Sequence, residues 1–419
     1  MRRVTLRLVP FLVLLYVCAF IDRTNVGIAA LQMNEDLRFS AGVYGFGAGI
    51  FFLAYGLFEV PSNLVLARVG ARRWIGRIMI TWGFLAASMM FVRTPFSFYV
   101  LRFLLGVAEA GFFPGVIYYL SNWFPAADRA RAVSRFMLGV PIASMISGAL
   151  AGPILGLRGT MGLAGWQWLF LLEGLPTVVC GGIALIYLTD SPDGARWLTD
   201  GERHWLLGRL QSERAQCIRA HGSSVRKALR NLNVWRLGLL WSLMFMSTNA
   251  YTFWAPQLIK NLFAGRSVAW VGGLLVAISF GNGIFIVLNG AHSDRCRERW
   301  LHVGIPFAIA SASWLVVSAG ISPVATIVAL GCAYISVSSI YGPFWSIPSE
   351  FLAGDGAAAG LALISSLGAL GAFAGPNVLG MAQQVFGSQR GGFATLACGM
   401  ALAAAVSMQG RRAARVKLL

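Results

Sequence analysis

The sequence is dominated by long apolar stretches that alternate with short polar segments, and this pattern limits the possible folds more than any other feature. We count twelve such stretches between about residue 8 and residue 409. An apolar helix of about 20 residues crosses the hydrocarbon core of a bilayer. The pattern therefore predicts an all-α, polytopic membrane protein with twelve transmembrane helices.

The composition excludes most soluble functions. Only 12% of the residues are charged and 57% are hydrophobic, whereas a soluble domain has about 25% charged residues. The net charge of +18 would suit nucleic-acid binding, but the charges lie in short gaps and form no continuous basic stripe. The sequence has no HExxH, GxSxG, P-loop or CxxC pattern and no histidine cluster. We expect no enzyme activity, no cofactor, no metal and no nucleic-acid partner.

The loop charges predict the orientation in the membrane. If the N-terminus is cytoplasmic, most of the 34 Lys and Arg residues fall in cytoplasmic segments, as the positive-inside rule requires. The start, Met1-Arg2-Arg3, leads directly into an apolar run with no cleavage signal, which indicates a first span and not a cleaved signal peptide. We expect a multi-pass membrane protein with both termini cytoplasmic.

An internal repeat predicts two pseudo-symmetric halves of six helices each. Gly152-Pro153 recurs as Gly375-Pro376, and the same offset places Arg72 on Arg295, although chance is an alternative. The predicted domains are an N-terminal bundle, a cytoplasmic connector and a C-terminal bundle, at residues 1–190, 191–234 and 235–419. In the connector, Thr199-Asp200-Gly201-Glu202 predicts a capping box for a short helix, and a simple solvated linker is the alternative.

Four charged residues inside predicted spans are the main functional candidates: Asp22, Arg23, Arg102 and Glu109. A charge at bilayer depth costs at least about 2.5–3.5 kcal/mol, so it usually has a partner and a task. The acids can alternate between a protonated and an Arg-paired state, and a guanidinium suits carboxylate recognition. Static ion pairs that lock helices together are the alternative. Two further acids, Glu59 and Glu173, lie near predicted span ends and are interpreted as structural.

The second half carries no charge at the matching places, since the offset puts Phe245, Met246, Ala325 and Cys332 there. This predicts proton coupling in the first half, and shape and polar contacts in the second. For each single candidate, helix packing is the alternative role. The candidate contacts of the second half are Tyr251, Trp254, Gln257, Tyr341, Trp345, Ser365 and Asn377.

Several segments carry a resemblance to a known family. They are Asp22-Arg23-Thr24-Asn25-Val26-Gly27, Pro61-Ser62-Asn63-Leu64, Gly70-Ala71-Arg72-Arg73-Trp74, the stretch 102–115, Gly342-Pro343-Phe344-Trp345 and Gly371-Ala372-Phe373-Ala374-Gly375-Pro376. Through them the chain resembles the anion:cation symporter family of the major facilitator superfamily. The resemblance implies the twelve-helix major facilitator fold, which rocks between inward-open and outward-open states, and cotransport of an organic anion with protons.

The resemblance also implies residue roles. Proton coupling falls on Asp22 and Glu109, carboxylate binding falls on Arg23 and Arg102, and a tyrosine of the family's site matches Tyr55. The family often has Asn on helix 11 where this chain has Ser365 and Ala369, and Asn377 is the suggested substitute. The residues Arg72, Asp294 and Arg295 are expected to hold helices together at the cytoplasmic face.

We therefore predict a secondary active transporter of a bacterial inner (plasma) membrane that takes up a small organic carboxylate, such as tartrate, a sugar acid or an aromatic acid, by proton symport. Proton-antiport efflux of an organic metabolite or drug is the alternative. The expected partners are the anion, protons and the lipid bilayer, and we expect a monomer. The aromatic candidates leave open whether the acid is aromatic or hydroxylated.

Overall fold

The computed structural model describes residues 1–220, 230–348 and 354–416, and within these ranges it contains helices and no strand. The predicted connector and C-terminal bundle each include residues outside the described ranges. The α-helices in chain order are α1 Arg2–Asp36, α2 Ala41–Val69, α3 Ala71–Ser88, α4 Pro95–Glu109, α5 Phe112–Trp123, α6 Ala126–Met137, α7 Gly139–Leu155, α8 Gly165–Tyr187, α9 Asp200–Ala220, α10 Leu232–Leu262, α11 Val268–Cys296, α12 Leu301–Ala319, α13 Pro323–Ser338, α14 Tyr341–Ser346, α15 Gly354–Phe386 and α16 Arg390–Val416.

Eleven segments of the described chain are long and apolar enough to cross a membrane. The twelfth predicted span corresponds to α10, which has 31 residues and packs within the same bundle. Its hydropathy is lower because polar residues, Ser247-Thr248-Asn249, occupy its middle. The predicted all-α fold of a polytopic membrane protein is confirmed.

The fourth span is broken, although the sequence predicts it as one stretch. Helix α4 ends at Glu109, and Gly111 adopts a φ of +85° before α5 begins. A side chain at Gly111 would be strained by that φ and would overlap Ser62. Pro114 lies in the first turn of α5, where a missing N–H is tolerated. The break places Glu109 at a helix end inside the bundle.

Glycines bring the two sets of helices together at one end of the bundle. We call this end, where α1 ends, the closed face. A methyl group at Gly27 of α1 would come within 2.7 Å of the Thr252 carbonyl oxygen of α10, and one at Gly45 of α2 within 2.7 Å of the Pro376 carbonyl oxygen of α15. One at Gly272 of α11 would overlap the carbonyl oxygen of Gly148 on α7.

The predicted capping box is present at the start of α9. The Thr199 N–H and hydroxyl both donate to the Glu202 carboxylate at 3.0 Å, and the Glu202 N–H donates to the Thr199 hydroxyl at 3.3 Å. These bonds, together with Arg3 at 3.2 Å, hold the pKa of the Glu202 carboxyl below its usual value. Helix α9 is thereby held against the start of α1.

Candidate functional site

The centre of the site is an ion pair between Arg23 of α1 and Glu109 at the end of α4. Glu109 is fully buried, whereas 23% of the Arg23 side chain remains exposed. The guanidinium carbon of Arg23 lies 5.4 Å from the ring centroid of Tyr55 and 5.6 Å from that of Phe51, both on α2. Distances below about 6 Å allow cation–π attraction. Arg23 is therefore held by one acid and two rings, with part of its surface free.

Arg102 does not pair with Glu109 as its closest partner, although the two residues share a face of α4. It is completely buried, and its Nε and Nη2 atoms donate to the carbonyl oxygens of Gly47 and Ala48 on α2, at 3.1 and 2.9 Å. Its guanidinium carbon also lies 4.7 Å from the Phe51 ring centroid. These contacts join α4 to α2 and leave the Nη1 atom of Arg102 without a partner. The role of Arg102 in carboxylate binding stays a prediction.

Asp22 turns away from its neighbour Arg23 and faces α8. Its carboxylate accepts a hydrogen bond of 2.8 Å from the Thr177 hydroxyl, and the side chain is 1% exposed. Glu173, one turn before Thr177, is 7% exposed and close enough for its carboxylate to repel that of Asp22. Neither oxygen of Glu173 has a hydrogen-bond partner of normal geometry. Glu173 also lies well inside α8, not at a span end as the sequence suggested.

The two acid sites are therefore separate. One acid, Glu109, is neutralised by Arg23, whereas Asp22 and Glu173 lie side by side with no basic partner among the described residues. Burying two carboxylates without a positively charged partner is costly. The sequence indicated the acids but not that Asp22 and Glu109 lie at separate sites, because Asp22 is adjacent to Arg23 in the chain.

A polar cluster in the second set of helices contains one predicted residue and two that the sequence analysis missed. The rings of Tyr251 on α10 and Tyr334 on α13 are stacked with centroids 4.1 Å apart. Asn282 of α11 lies close enough to bond to the Tyr334 hydroxyl. The Tyr251 hydroxyl and the Asn282 carbonyl oxygen are buried without partners. The missed residues carry no charge, and only their depth within spans was available as a signal.

Tyr341, which begins α14, links this cluster to the first half. It lies near enough to both Tyr334 and Arg23 to interact electrostatically with each. The α1 backbone at Gly27, one turn after Arg23, also meets α10 at Thr252, next to Tyr251. The cluster and the Arg23–Glu109 pair therefore involve helices that contact each other.

Three predicted contacts of the second half are used in packing. The Trp254 indole donates to the Pro376 carbonyl oxygen at 3.0 Å and meets the Tyr44 ring edge-on at 5.1 Å. The Trp345 ring lies edge-on to Trp241 at 4.7 Å. The Asn377 amide donates to the carbonyl oxygen of Phe373 on its own helix, at 2.7 Å, and fits against Gly49 of α2.

The three predicted gating residues lie outside this centre. The backbone N–H of Arg72, at the start of α3, donates to Asp190 after α8 at 2.8 Å, and the Arg72 Nε atom is 3.8 Å from the same carboxylate. Asp294 pairs with Arg299 and not with the adjacent Arg295, which is exposed. The first contact joins the start of α3 to the segment after α8, and the second joins the end of α11 to the turn before α12.

Comparison with known proteins identifies the architecture. The sequence profile described as Major Facilitator Superfamily matches residues 12–376. A protein of Agrobacterium vitis named "Putative tartrate transporter" is 46% identical over 395 residues, which cover 94% of this chain and 87% of that protein. A quinolone resistance transporter of Acinetobacter baumannii is 39% identical over 392 residues, covering 93% and 90%.

Solved structures share the fold. The crystal structure of a bacterial homologue of the human lysosomal transporter Spinster, in an inward-facing and occupied conformation, aligns with a TM-score of 0.77. The alignment covers 96% of each chain at 16% sequence identity, so it supports the fold alone.

Proposed function

This chain belongs to the Major Facilitator Superfamily of membrane transporters, and we propose that it takes up a small organic carboxylate by proton symport. The Arg23–Glu109 pair is the observation that carries the proposal. A guanidinium binds a carboxylate with paired hydrogen bonds and keeps its charge at any physiological pH. Arg23 is both partly exposed and already paired with a carboxylate of the protein, so a substrate carboxylate can take the place of Glu109.

Protonation of Glu109 provides the coupling. A proton on Glu109 neutralises the acid and releases Arg23, whose guanidinium then binds the substrate carboxylate. Loss of that proton restores the ion pair and displaces the substrate. Coupling of this kind requires that proton and substrate together favour one conformation over the other. Both partners lie in one chain, so the site is complete in a monomer.

Asp22 supplies a second protonation step in this proposal. It lies next to Arg23 in sequence, but its carboxylate is held by Thr177 of α8 and repelled by Glu173. Its proton therefore does not compete with the substrate for Arg23. Instead, neutralising Asp22 reduces the charge buried between α1 and α8 while the helices move.

The closed end of the bundle indicates the direction of access. The helices approach closely at Gly27, Gly45 and Gly272, and these contacts hold the closed face together. With both termini cytoplasmic in a bacterial inner membrane, as the loop charges favour, that face is external and this conformation opens inward. Rocking of one six-helix set against the other then exposes Arg23 to the outside.

The test uses proteoliposomes with an imposed inward proton gradient and labelled tartrate, which a similar protein is named for. We expect uphill uptake in the wild type. Glu109→Gln and Asp22→Asn should each abolish accumulation while carboxylate exchange or binding persists. The matched control is Glu35→Gln, an exposed acid at the end of α1 that should behave as wild type. Uphill uptake by both acid variants at the wild-type level would refute the proposal.

Efflux by proton antiport is the second candidate, because one relative is named a quinolone resistance transporter. The exposed part of the Arg23 side chain carries positive charge and repels cationic drugs, which favours anion uptake. Cells that express the protein and extrude a labelled acid, rather than accumulate it, would support efflux.

A further inference from the structure

We infer that Tyr251, Tyr334 and Asn282 form a subsite that binds the hydroxyl groups of a hydroxylated carboxylate. The inference rests on the proposed function and specifies the substrate class, because Arg23 would hold the carboxylate of the same molecule. It favours hydroxy acids over aromatic acids, an alternative that the sequence leaves open.

The first support is a set of polar atoms with no partner. Tyr251 is 5% exposed and Asn282 is 7% exposed, and the hydroxyl of the first and the carbonyl oxygen of the second make no hydrogen bond. A buried polar group without a partner costs about 1–3 kcal/mol. The hydroxyl groups of a ligand can donate to the Asn282 oxygen and accept from the Tyr251 hydroxyl, which would remove that cost.

The second support is that the aromatic rings are already packed against one another. Tyr251 and Tyr334 stack on each other at an interplanar angle of 13°, so each ring has one face covered by the other. Trp254 packs on Tyr44 and Trp345 packs on Trp241. An aromatic acid would need a free ring face for stacking. In the stacked pair, the groups that can bind a ligand are the hydroxyl groups at the ring edges.

The third support is position. Gly27, one turn after Arg23 on α1, approaches the carbonyl oxygen of Thr252 on α10, which is the residue next to Tyr251. One small molecule therefore has a carboxylate-binding group in the first half and hydroxyl-binding groups in the second. A substrate that bridges the halves in this way also explains why the second half needs no charge.

The experiment compares tartrate with succinate, two four-carbon diacids that differ only in two hydroxyl groups. Both acids compete against labelled tartrate uptake in proteoliposomes. We expect the wild type to bind tartrate at least tenfold more tightly than succinate. Tyr251→Phe removes one hydroxyl and should weaken tartrate roughly 3- to 10-fold, the effect of one hydrogen bond, while succinate is unchanged. Asn282→Leu, a second variant of similar volume, should do the same.

The control is Tyr118→Phe, since Tyr118 is 42% exposed on α5, away from the cluster. Equal wild-type affinity for the two acids, or an equal loss of both in Tyr251→Phe, would overturn the inference. Uptake of an aromatic acid that depends on Arg23 but excludes tartrate would also overturn it and leave the proposed function intact. No carboxylate uptake that depends on Arg23 would instead refute the proposed function.

Discussion

The two intramembrane arginines have the same charge but different surroundings, and the surroundings decide their roles. Arg102 donates from Nε and Nη2 to backbone carbonyl oxygens and has no exposed surface. Arg23 faces an acid and two rings and is partly exposed. Because a bound anion must reach a guanidinium, the proposed role of binding substrate falls to Arg23 and not to Arg102 in this conformation.

This difference predicts opposite effects of two equal substitutions. Arg102→Lys replaces a planar donor by a point charge, so at least one α2 carbonyl oxygen loses its bond and the fold loses about 1–3 kcal/mol. Arg23→Lys should leave stability near wild type and raise KM for the carboxylate. Thermal unfolding and uptake kinetics on purified protein measure both. A stable Arg102→Lys with raised KM would show that Arg102 binds substrate directly.

The hydrogen bond from the Thr177 hydroxyl to the Asp22 carboxylate can be tested by substitution. Thr177→Val keeps the shape of the side chain but removes the donor to the buried carboxyl, which should lower stability by about 1–3 kcal/mol. Thr177→Ser keeps the donor and should remain within about 1 kcal/mol of the wild type. Thermal unfolding in detergent distinguishes them. Equal stability of the two variants would mean that the hydrogen bond contributes nothing to holding Asp22.

At the scale of elements, the closed face depends on how near the helices approach. The α7 and α11 backbones meet at Gly148 and Gly272, and small residues permit such close contact between membrane helices. The hydrogen bond of 2.6 Å from the Tyr44 hydroxyl to the Phe253 carbonyl oxygen adds a link between α2 and α10. The sequence contains these glycines, but their spacing does not reveal which helix each one faces.

We predict that Gly272→Ala weakens the helix contacts of the closed face. The added methyl group overlaps the Gly148 carbonyl, so α7 and α11 must separate. Transport should fall several-fold, and a cysteine introduced into the site should react faster with an impermeant thiol reagent from outside. The adjacent Gly273→Ala is the control, because nothing lies within 4 Å of its added methyl. Equal transport by the two variants would contradict this account of the closed face.

At the scale of the whole molecule, the two six-helix sets divide the chemistry. Buried charges occur on α1, α4 and α8, whereas the central cluster of the second set is neutral and aromatic. The buried charges thus lie in the first set of helices, as the sequence indicated, and the division of labour between the halves stays a prediction. Rocking motions of this fold would bring a charged and an uncharged wall together around one ligand.

The orientation gives a prediction for the intact protein in its membrane. Alkaline phosphatase needs disulfides and is active only outside the cytoplasm. A fusion after Gly159, between α7 and α8, should be active, and one after Arg412, in the last helix, should be inactive. A fluorescent protein at the second position should fluoresce as a complementary control. The reverse pattern would place both termini outside and invert the proposed direction of access.

The sequence by itself determined the fold class, the capping box of α9 and the residues with intramembrane charge. These features follow from local composition, because helix periodicity and the cost of a charge in lipid act over a few residues. Tertiary structure decided which acid meets which arginine, that Arg102 binds backbone, and that Tyr334 and Asn282 join Tyr251. Those choices depend on the rotation of each helix about its axis, which only packing against neighbouring helices fixes.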